Sequence, residues 1–239
     1  MEKQTRRAAN NYPKHIALIL DGNRRWARRK GLPAFEGHRR SAEILEKILD
    51  TAKEYGVRCV TLWSFSTENW KRSKEEVEYL FGLFRIFFDK YKKKCIENKV
   101  RFVHLGRKDR IEPDIRSSIE DLEEITKDFK KNTIAVALDY GGHDELIRTF
   151  SKLKEQGLEV TSENIEKNLD TAFLPPVDLI IRTSGEKRLS GFLSWQCAYS
   201  ELYFTDKTFP EFTPEELKIA LDDYAQRERR FGGESKIKL

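Results

Sequence analysis

Short apolar runs alternate along the chain with longer stretches whose apolar residues recur at helical spacing. The strand-like runs are HIALIL (15–20), VRCVTLWSF (57–65), RFVHL (101–105), TIAVALDY (133–140), VDLIIRT (177–183) and ELYFTD (201–206). Helical patterns occupy 37–56, 74–98, 113–130, 143–156, 162–169 and 213–230, and the second opens with the capping box Ser73-x-x-Glu76. This alternation predicts an α/β fold with a central, mostly parallel six-stranded sheet flanked by helices.

The chain shows no internal repeat, low-complexity tract or Pro/Gly linker. We therefore expect residues 1–239 to form one domain, with a basic N-terminal tail over 1–12 and a C-terminal tail over 227–239. No apolar run reaches the roughly 18 residues of a membrane span, and the first dozen residues lack the apolar region of a secretory signal. These features predict a cytoplasmic protein.

Charge and cysteine content narrow the function classes only slightly. The net charge of +5 suits anionic ligands, but the 40 acidic residues and the lack of a recognisable motif argue against nucleic-acid binding. The three cysteines lie far apart in sequence and predict neither a disulfide framework nor a zinc site.

Polar residues follow several of the predicted strands directly. Asp21 follows the first strand, and the polar loops 66–70, 139–143 and 182–190 follow three others. Because ligands bind beyond the carboxyl ends of parallel strands, we expect these four segments to share one edge of the sheet and to form the functional site.

The stretch LILDGNRRWARRKG (18–31) places one carboxylate, Asp21, before a run of cationic residues. A carboxylate at a strand end can bind Mg²⁺, while the arginines and the start of the next helix can hold a phosphate. The same residues also fit an aspartate that caps a helix beside arginines on a solvated surface.

A second cluster favours the phosphate interpretation. The loop RTSGEKRLS (182–190) supplies Arg182, Arg188 and Ser190 after another buried strand. Two anion-binding loops at one edge indicate two phosphorylated substrates, or one long one. His38, which follows Gly37 at a predicted helix start, adds a proton carrier.

The predicted helix from Lys74 is apolar around more than half of its circumference. Its apolar positions include Leu80, Phe81, Phe84, Phe87 and Phe88. Such a helix is either buried between the sheet and a partner or lines an apolar tunnel that holds a ligand.

Motifs of three rival enzyme classes are incomplete. Phosphatases with a D-x-D nucleophile need a carboxylate where Ile19 stands, and the glycine patterns of nucleotide-binding loops are absent. The D-D-x-x-D motif of all-helical prenyl synthases is also missing, because Asp222-Asp223 precede Tyr-Ala-Gln.

Five motifs in order resemble those of the cis-prenyltransferases, the undecaprenyl and polyprenyl diphosphate synthases. They are HIALILDGNRRWA, TLWSFSTENWKRSKEEV, DYGGHDEL, VDLIIRTSGEKRLSGFLSWQCAYSELYFTD and RERRFGG, and they span His15 to Gly233. The resemblance implies a Mg²⁺-dependent homodimer that condenses isopentenyl diphosphate with an allylic diphosphate, such as farnesyl or geranylgeranyl diphosphate. It also implies a transient association with the membrane surface through a greasy product.

The resemblance further implies a role for each matching residue. Asp21 would be the metal-linked catalytic carboxylate, with Asn69 as the second catalytic residue and Glu201 as the second metal ligand. The remaining predicted substrate-binding residues are Gly22, Asn23, Arg24, Arg25, Trp26 and His38 for the allylic substrate, Phe65, Ser66, Trp70 and Glu76 in the mobile second motif, Arg182, Arg188 and Ser190 for isopentenyl diphosphate, and Arg230 in an R-x-G tail that reaches the partner subunit.

Some positions depart from the family pattern. Arg24 replaces a glycine common in bacterial members, and Ala34, Asp139, His143 and Gly191 also differ from frequent family residues. Chain length and primer preference therefore stay open. A short-chain or irregular prenyl diphosphate synthase and a non-catalytic partner subunit are the alternatives, although the latter would not be expected to keep Asp21 and Arg182.

Overall fold

The computed structural model describes residues 11–229. Within that range the strands are β1 His15–Ile19, β2 Cys59–Ser66, β3 Val100–Leu105, β4 Asn132–Tyr140, β5 Leu179–Arg182 and β6 Glu201–Phe204. The α-helices are α1 Asn23–Arg29, α2 Ala34–Glu54, α3 Lys74–Glu97, α4 Pro113–Thr126, α5 Gly142–Glu155, α6 Ser162–Asn168 and α7 Pro214–Gln226. No helix in this part of the chain is both long and apolar enough to cross a membrane.

All six strands form one parallel sheet in the order β3-β4-β2-β1-β5-β6. Every residue of β1 and β5 is buried, because helices and loops cover both faces of the sheet. The predicted six-stranded α/β fold is therefore confirmed, and the sheet is wholly rather than mostly parallel.

Two apolar layers flank the sheet. On one face, side chains such as Leu62 and Val136 pack with residues of α2, α3, α4 and α7. On the other face, Ile19, Ala137 and Tyr140 pack with Phe192 and Leu193. Because the strands are parallel and both faces of the sheet are covered, the loops that follow the carboxyl ends of the strands lie along one edge of the sheet.

The predicted functional edge forms as expected. Ile19 at the end of β1 is level with Trp63 of β2 and Arg182 of β5. Asp21 therefore emerges beside the loop that follows Arg182, and Ser66 ends β2 beside Tyr140 at the end of β4.

Three helix boundaries differ from the sequence pattern by three or four residues, and one of them is the end of α4, at Thr126 rather than at 130. Helix α2 begins at Ala34 rather than at Gly37, since Gly37 lies inside the helix where α1 crosses it: a Cβ there would lie 2.1 Å from the carbonyl oxygen of Asn23. The last helix ends at Gln226 rather than at 230, and Arg227 instead pairs with Glu201. Gly37, which the sequence pattern placed at the start of the helix, is thus required for the close packing of α1 against α2.

Candidate active site

Asp21 lies between two arginines at the carboxyl end of β1. Its Oδ2 atom is 3.0 Å from the guanidinium of Arg182 and 3.2 Å from that of Arg25, and its Oδ1 atom accepts the backbone N–H of Gly22 at 2.6 Å. The site thus joins the predicted first and second anion-binding loops through one carboxylate.

Backbone contacts fix this carboxylate in place. The hydroxyl of Thr183 accepts the N–H of Asp21 at 3.0 Å and donates to its carbonyl at 2.8 Å. Gly22 has a positive φ of 98°, and a Cβ there would lie 2.6 Å from Oγ of Ser184. A side chain at position 22 would therefore collide with the side chains of Ser184 and Thr208, which gives Gly22 a steric role.

The electrostatics of the site keep Asp21 ionised. Partial burial alone would raise the pKa of Asp21, but the hydrogen bond from Arg182 and the charges of Arg25 and Arg182 outweigh burial and hold its pKa below the ordinary value. Asp21 consequently carries its negative charge throughout the neutral pH range.

Arg182 is the buried cation of the site, with a side chain only 7% exposed. It donates to Oγ of Ser190 at 2.9 Å and to the carbonyl of Arg188, while its Nε has no hydrogen-bond partner within residues 11–229. The Arg188 side chain is 62% exposed and pairs with Glu186. Of the three predicted residues in this loop, Arg182 and Ser190 line the cavity described below.

Glu186 is a member of the site that sequence reasoning missed. It accepts hydrogen bonds from Arg25 at 2.8 Å and from Arg188 at 2.5 Å. The Glu186 carboxylate therefore pairs with two arginines that are predicted to bind phosphate. A bound diphosphate would compete with Glu186 for these two side chains. The position of Glu186 inside a basic loop was the available signal.

The predicted second motif forms the opposite side of the site. Phe65 is buried and Ser66 ends β2, and Asn69 accepts the N–H of Ser66 at 3.1 Å to close the Thr67–Lys71 turn. Phe65, Ser66 and Asn69 line the cavity, whereas Trp70 packs behind them, with its ring edge-on to Phe65 at 5.1 Å.

Glu76 is surrounded by basic groups rather than free to bind substrate. Its carboxylate lies 2.9 Å from Arg72, 3.5 Å from Arg24 and 4.0 Å from Nε2 of His38. Ser73 accepts the N–H of Glu76 as predicted, although the Glu76 side chain pairs with Arg72. Arg72, which lines the cavity, was missed in the sequence, and its i, i+4 spacing from Glu76 was the signal for it.

His38 lies in this basic surrounding as a neutral side chain at pH 7. Burial, together with the charges of Arg72 and Arg24, lowers the pKa of His38 to about 4. Its Nε2 atom is buried without a hydrogen-bond partner among the described residues, and His38 lines the cavity. A neutral imidazole facing a cavity can accept a proton or a hydrogen bond from a bound ligand.

The pKa of His38 predicts a loss of stability in acid. Because the unfolded chain binds this proton more tightly than the folded protein, stability falls as the pH drops from about 6.5 toward 4. In His38→Asn we expect the free energy of unfolding to fall by about 2 kcal/mol less between pH 7 and pH 5 than in the wild type. Urea denaturation at both pH values measures this difference.

His143→Asn serves as the control, since His143 is exposed. If His38→Asn and His143→Asn lose as much stability between the two pH values as the wild type, the burial of His38 is not the cause of the loss of stability in acid.

These side chains surround one cavity of about 1230 Å³, counted with its open mouth. Its polar end is formed by Asp21, Asn23, His38, Asn69, Arg72, Arg182 and Ser190. Its apolar wall is formed by Leu45 of α2, Val136 of β4, and Leu80, Leu83, Phe84 and Phe87 of α3. One part of α3 thus packs in the core while another part faces a ligand-sized space, which explains its wide apolar surface.

Several other predicted site residues of the described chain lie outside the lining of this cavity: Gly22, Arg24, Arg25, Trp26, Trp70, Glu76, Arg188 and Glu201. Trp26 is half-buried on α1, outside the lining of the cavity in the described chain. Glu201 begins β6, level with Leu179 at the start of β5, and pairs with Arg227 at 2.7 Å; it therefore lies away from Asp21 in the same chain. Arg230 lies outside the described residues.

Comparison with known proteins covers nearly the full chain. The Prenyltransf family model, that of undecaprenyl diphosphate synthase, matches residues 19–232. An isoprenyl transferase of Aquifex aeolicus (strain VF5) is 46% identical over 221 residues, which are 92% of this chain and 96% of that protein. The isoprenyl transferase of Thermotoga maritima is 43% identical over 226 residues, which are 92% of this chain and 97% of that protein.

Solved structures show the same relationship. Lavandulyl diphosphate synthase from Lavandula x intermedia, in complex with dimethylallyl diphosphate, has a TM-score of 0.89 and 31% identity, with 93% of this chain and 99% of that chain covered. A probable undecaprenyl diphosphate synthase from Campylobacter jejuni has a TM-score of 0.80 and 36% identity at the same coverage. The chain belongs to the undecaprenyl diphosphate synthase family, and it is a prenyltransferase.

Proposed function

We propose that this prenyltransferase condenses isopentenyl diphosphate with an allylic diphosphate, farnesyl or geranylgeranyl diphosphate, to give a Z-polyprenyl diphosphate such as undecaprenyl diphosphate. The observation that carries the proposal is Asp21 held between Arg25 and Arg182 at the polar end of a cavity with an apolar wall. A substrate with a charged head and a long apolar tail matches both parts of this cavity.

The reaction needs two diphosphates held so that their carbon atoms meet. The allylic C–O bond breaks, a C–C bond forms to the isopentenyl unit, that unit loses a proton, and diphosphate leaves. Arg182 and Ser190 would hold one diphosphate, and Arg25, His38 and Arg72 would hold the other. One member of each group contacts Asp21, Arg182 in the first and Arg25 in the second, so binding would align the two substrates. Arginines fixed around the leaving diphosphate stabilise the charge that develops on it.

Magnesium fits the donor set of the site. Mg²⁺ in such sites takes one or two carboxylates together with substrate phosphates, and Asp21 is the one acidic residue lining this cavity in the described chain. The chain between residues 11 and 229 holds no cluster of three or more acidic, His or Cys side chains suited to a metal, so substrate phosphates and water would supply the other ligands. When bound, the ion would neutralise charge on the leaving diphosphate.

The same electrostatics bear on which group acts as the base, Asp21 or the leaving diphosphate. The arginines that hold the pKa of Asp21 below its ordinary value, despite burial, also weaken it as a proton acceptor. This supports the leaving diphosphate as the base that removes the isopentenyl proton, with Asp21 in a binding and positioning role.

The apolar wall of the cavity would hold the growing prenyl chain, and the shape of this wall would limit the length of the product. Phe84 is half-buried on α3, and its ring packs edge-on against Phe81 at 5.8 Å and Phe65 at 6.5 Å. We expect Phe84→Ala to shift the products to longer chains, because it enlarges the cavity beyond the polar end. Chromatography of the dephosphorylated products measures the shift. Ile86→Ala is the matched control on the same helix, since Ile86 is 65% exposed; equal product distributions for the two variants would contradict a chain-holding wall.

The proposal includes a homodimer that works in the cytoplasm and meets the membrane surface through its product. The R-x-G tail at Arg230 would complete the partner's site; Arg230 lies outside the described residues, so the contacts in this chain bear only on the site itself.

The test is incubation with Mg²⁺, labelled isopentenyl diphosphate and, separately, geranyl, farnesyl or geranylgeranyl diphosphate. Chain-extended product that Asp21→Asn lacks would support the proposal and would identify the best primer. The likeness to lavandulyl diphosphate synthase favours irregular condensation as the second candidate, so dimethylallyl diphosphate is tested alone as well. Product from that substrate alone would support the second candidate. Binding of both diphosphates without turnover would support a partner-subunit role.

A further inference from the structure

Asp139 is a fully buried carboxylate beside the site that the reaction described above does not use. It is the penultimate residue of β4, is 0% exposed, and has a positive φ of 54°, which is uncommon outside glycine. A charged group at such a depth requires partners, because its desolvation is otherwise unfavourable.

Both partners of Asp139 come from other loops of the functional edge. The indole Nε1 of Trp70 donates to Oδ1 of Asp139 at 2.9 Å. Arg110, in the loop after β3, donates through Nε to Oδ2 at 2.8 Å and through a terminal nitrogen to Oδ1 at 2.5 Å. The Arg110 guanidinium also lies 5.9 Å from the centre of the Trp70 ring. Asp139 therefore ties together the loops that follow β2 and β3.

Trp70 connects this cluster to the lining of the cavity. Its ring packs against Phe65 at 5.1 Å and against Phe81 at 5.2 Å, and Phe65 lines the cavity. Its sequence neighbours Asn69 and Arg72 line the cavity as well. An indole held at both its N–H and its face fixes the backbone from which those two polar side chains project.

We propose that Arg110, Asp139 and Trp70 form a latch that holds the Thr67–Lys71 turn in the position where Asn69 and Arg72 face the substrates. Arg110 and Asp139 are positioning residues: they lie outside the lining of the cavity in the described chain and act through Trp70. The kinetic part of this inference rests on the proposed function, and the structural part does not.

Arg110→Gln and Asp139→Asn break the latch in two ways. The first variant removes the guanidinium charge and its fork of donors, while an asparagine in the second tolerates the positive φ but offers one oxygen in place of two. For each folded variant we expect kcat/KM for the allylic substrate to fall about ten-fold, mainly through a higher KM, and Arg110→Lys to restore part of it. We also expect trypsin to cleave after Lys71 and Arg72 about ten-fold faster in the native variant proteins.

Arg85→Gln is the matched control. Arg85 is 39% exposed, against 40% for Arg110, and it also makes a forked contact with an aspartate, but this partner is Asp114 at the start of α4, outside the lining of the cavity in the described chain. Faster cleavage and a lower kcat/KM in Arg110→Gln and Asp139→Asn, but not in Arg85→Gln, would support the latch. Cleavage rates and kcat/KM equal to those of the control would overturn it, as would faster cleavage with unchanged kcat/KM. If the wild type extends no primer, the proposed function fails, and the cleavage rates alone decide whether the turn is held.

Discussion

Replacing Asp21 by asparagine is expected to lower the rate of prenyl transfer about 10³-fold. The substitution keeps the size of the side chain and its contact with the N–H of Gly22, but it removes the negative charge that Arg182 and Arg25 share. It also removes the one carboxylate of the described chain that lines the cavity and could hold Mg²⁺. Single-turnover measurement with saturating substrates separates this loss from weaker binding.

Asp109→Asn is the control for the Asp21 variant. Asp109 also pairs with an arginine, Arg107 at 2.6 Å, but it is 62% exposed and lies outside the lining of the cavity. We expect wild-type turnover from Asp109→Asn. Equal rates for the two variants would show that the negative charge of Asp21 is not needed for prenyl transfer.

Replacing Arg182 by lysine is expected to lower kcat/KM for isopentenyl diphosphate about 100-fold. Lysine keeps the charge but cannot bridge Asp21, Ser190 and a phosphate at once, since it lacks the planar fork of a guanidinium. The Nε–H of Arg182 is buried and has no hydrogen-bond partner within the described range, so it could donate to a phosphate oxygen. Steady-state kinetics with isopentenyl diphosphate varied at fixed primer measures the effect.

Arg148→Lys tests whether any partly buried arginine that pairs with an aspartate would behave in this way. Arg148 is 22% exposed and donates to both oxygens of Asp170, at 2.8 and 2.6 Å, on α5 away from the cavity. Its variant should lose stability but keep kcat/KM. A similar loss of kcat/KM in both variants would assign the effect of Arg182 to the fold rather than to substrate binding.

The alternation of apolar runs was sufficient to predict the six strands and the edge where the site lies. Asp21 and Arg182 could be predicted as site residues because each directly follows or ends an apolar run, and in a parallel sheet such positions share one edge. Their direct contact could not be predicted, since it depends on β1 lying next to β5, and strand order arises from long-range packing that no local pattern encodes.

Other differences between the sequence predictions and the structure have local physical causes. Arg72 and Glu186 belong to loops so rich in charge that their pairing is visible only once the loops fold. The start of α2 was misplaced because Gly37 is unfavourable in a helix by itself and is tolerated for the close approach of α1. Glu201 was assigned to the metal from its motif alone, whereas the register of β6 places it at the start of the strand. The assignment of Glu201 to the metal can still be tested in the proposed homodimer.

The wholly parallel sheet has a consequence for how the protein is made. Asp21 and Arg182 are separated by 161 positions in sequence, and β1 joins β5 only after the other neighbours of the sheet, β2, β3 and β4, have been synthesised. Contacts of such high sequence separation form late and slowly, because loop closure must precede any gain from pairing. On the ribosome, β1 to β4 can assemble first, and the two halves of the substrate site meet in the last stage. Prenyl transfer would therefore begin only after folding is complete, and partly folded chains would be inactive.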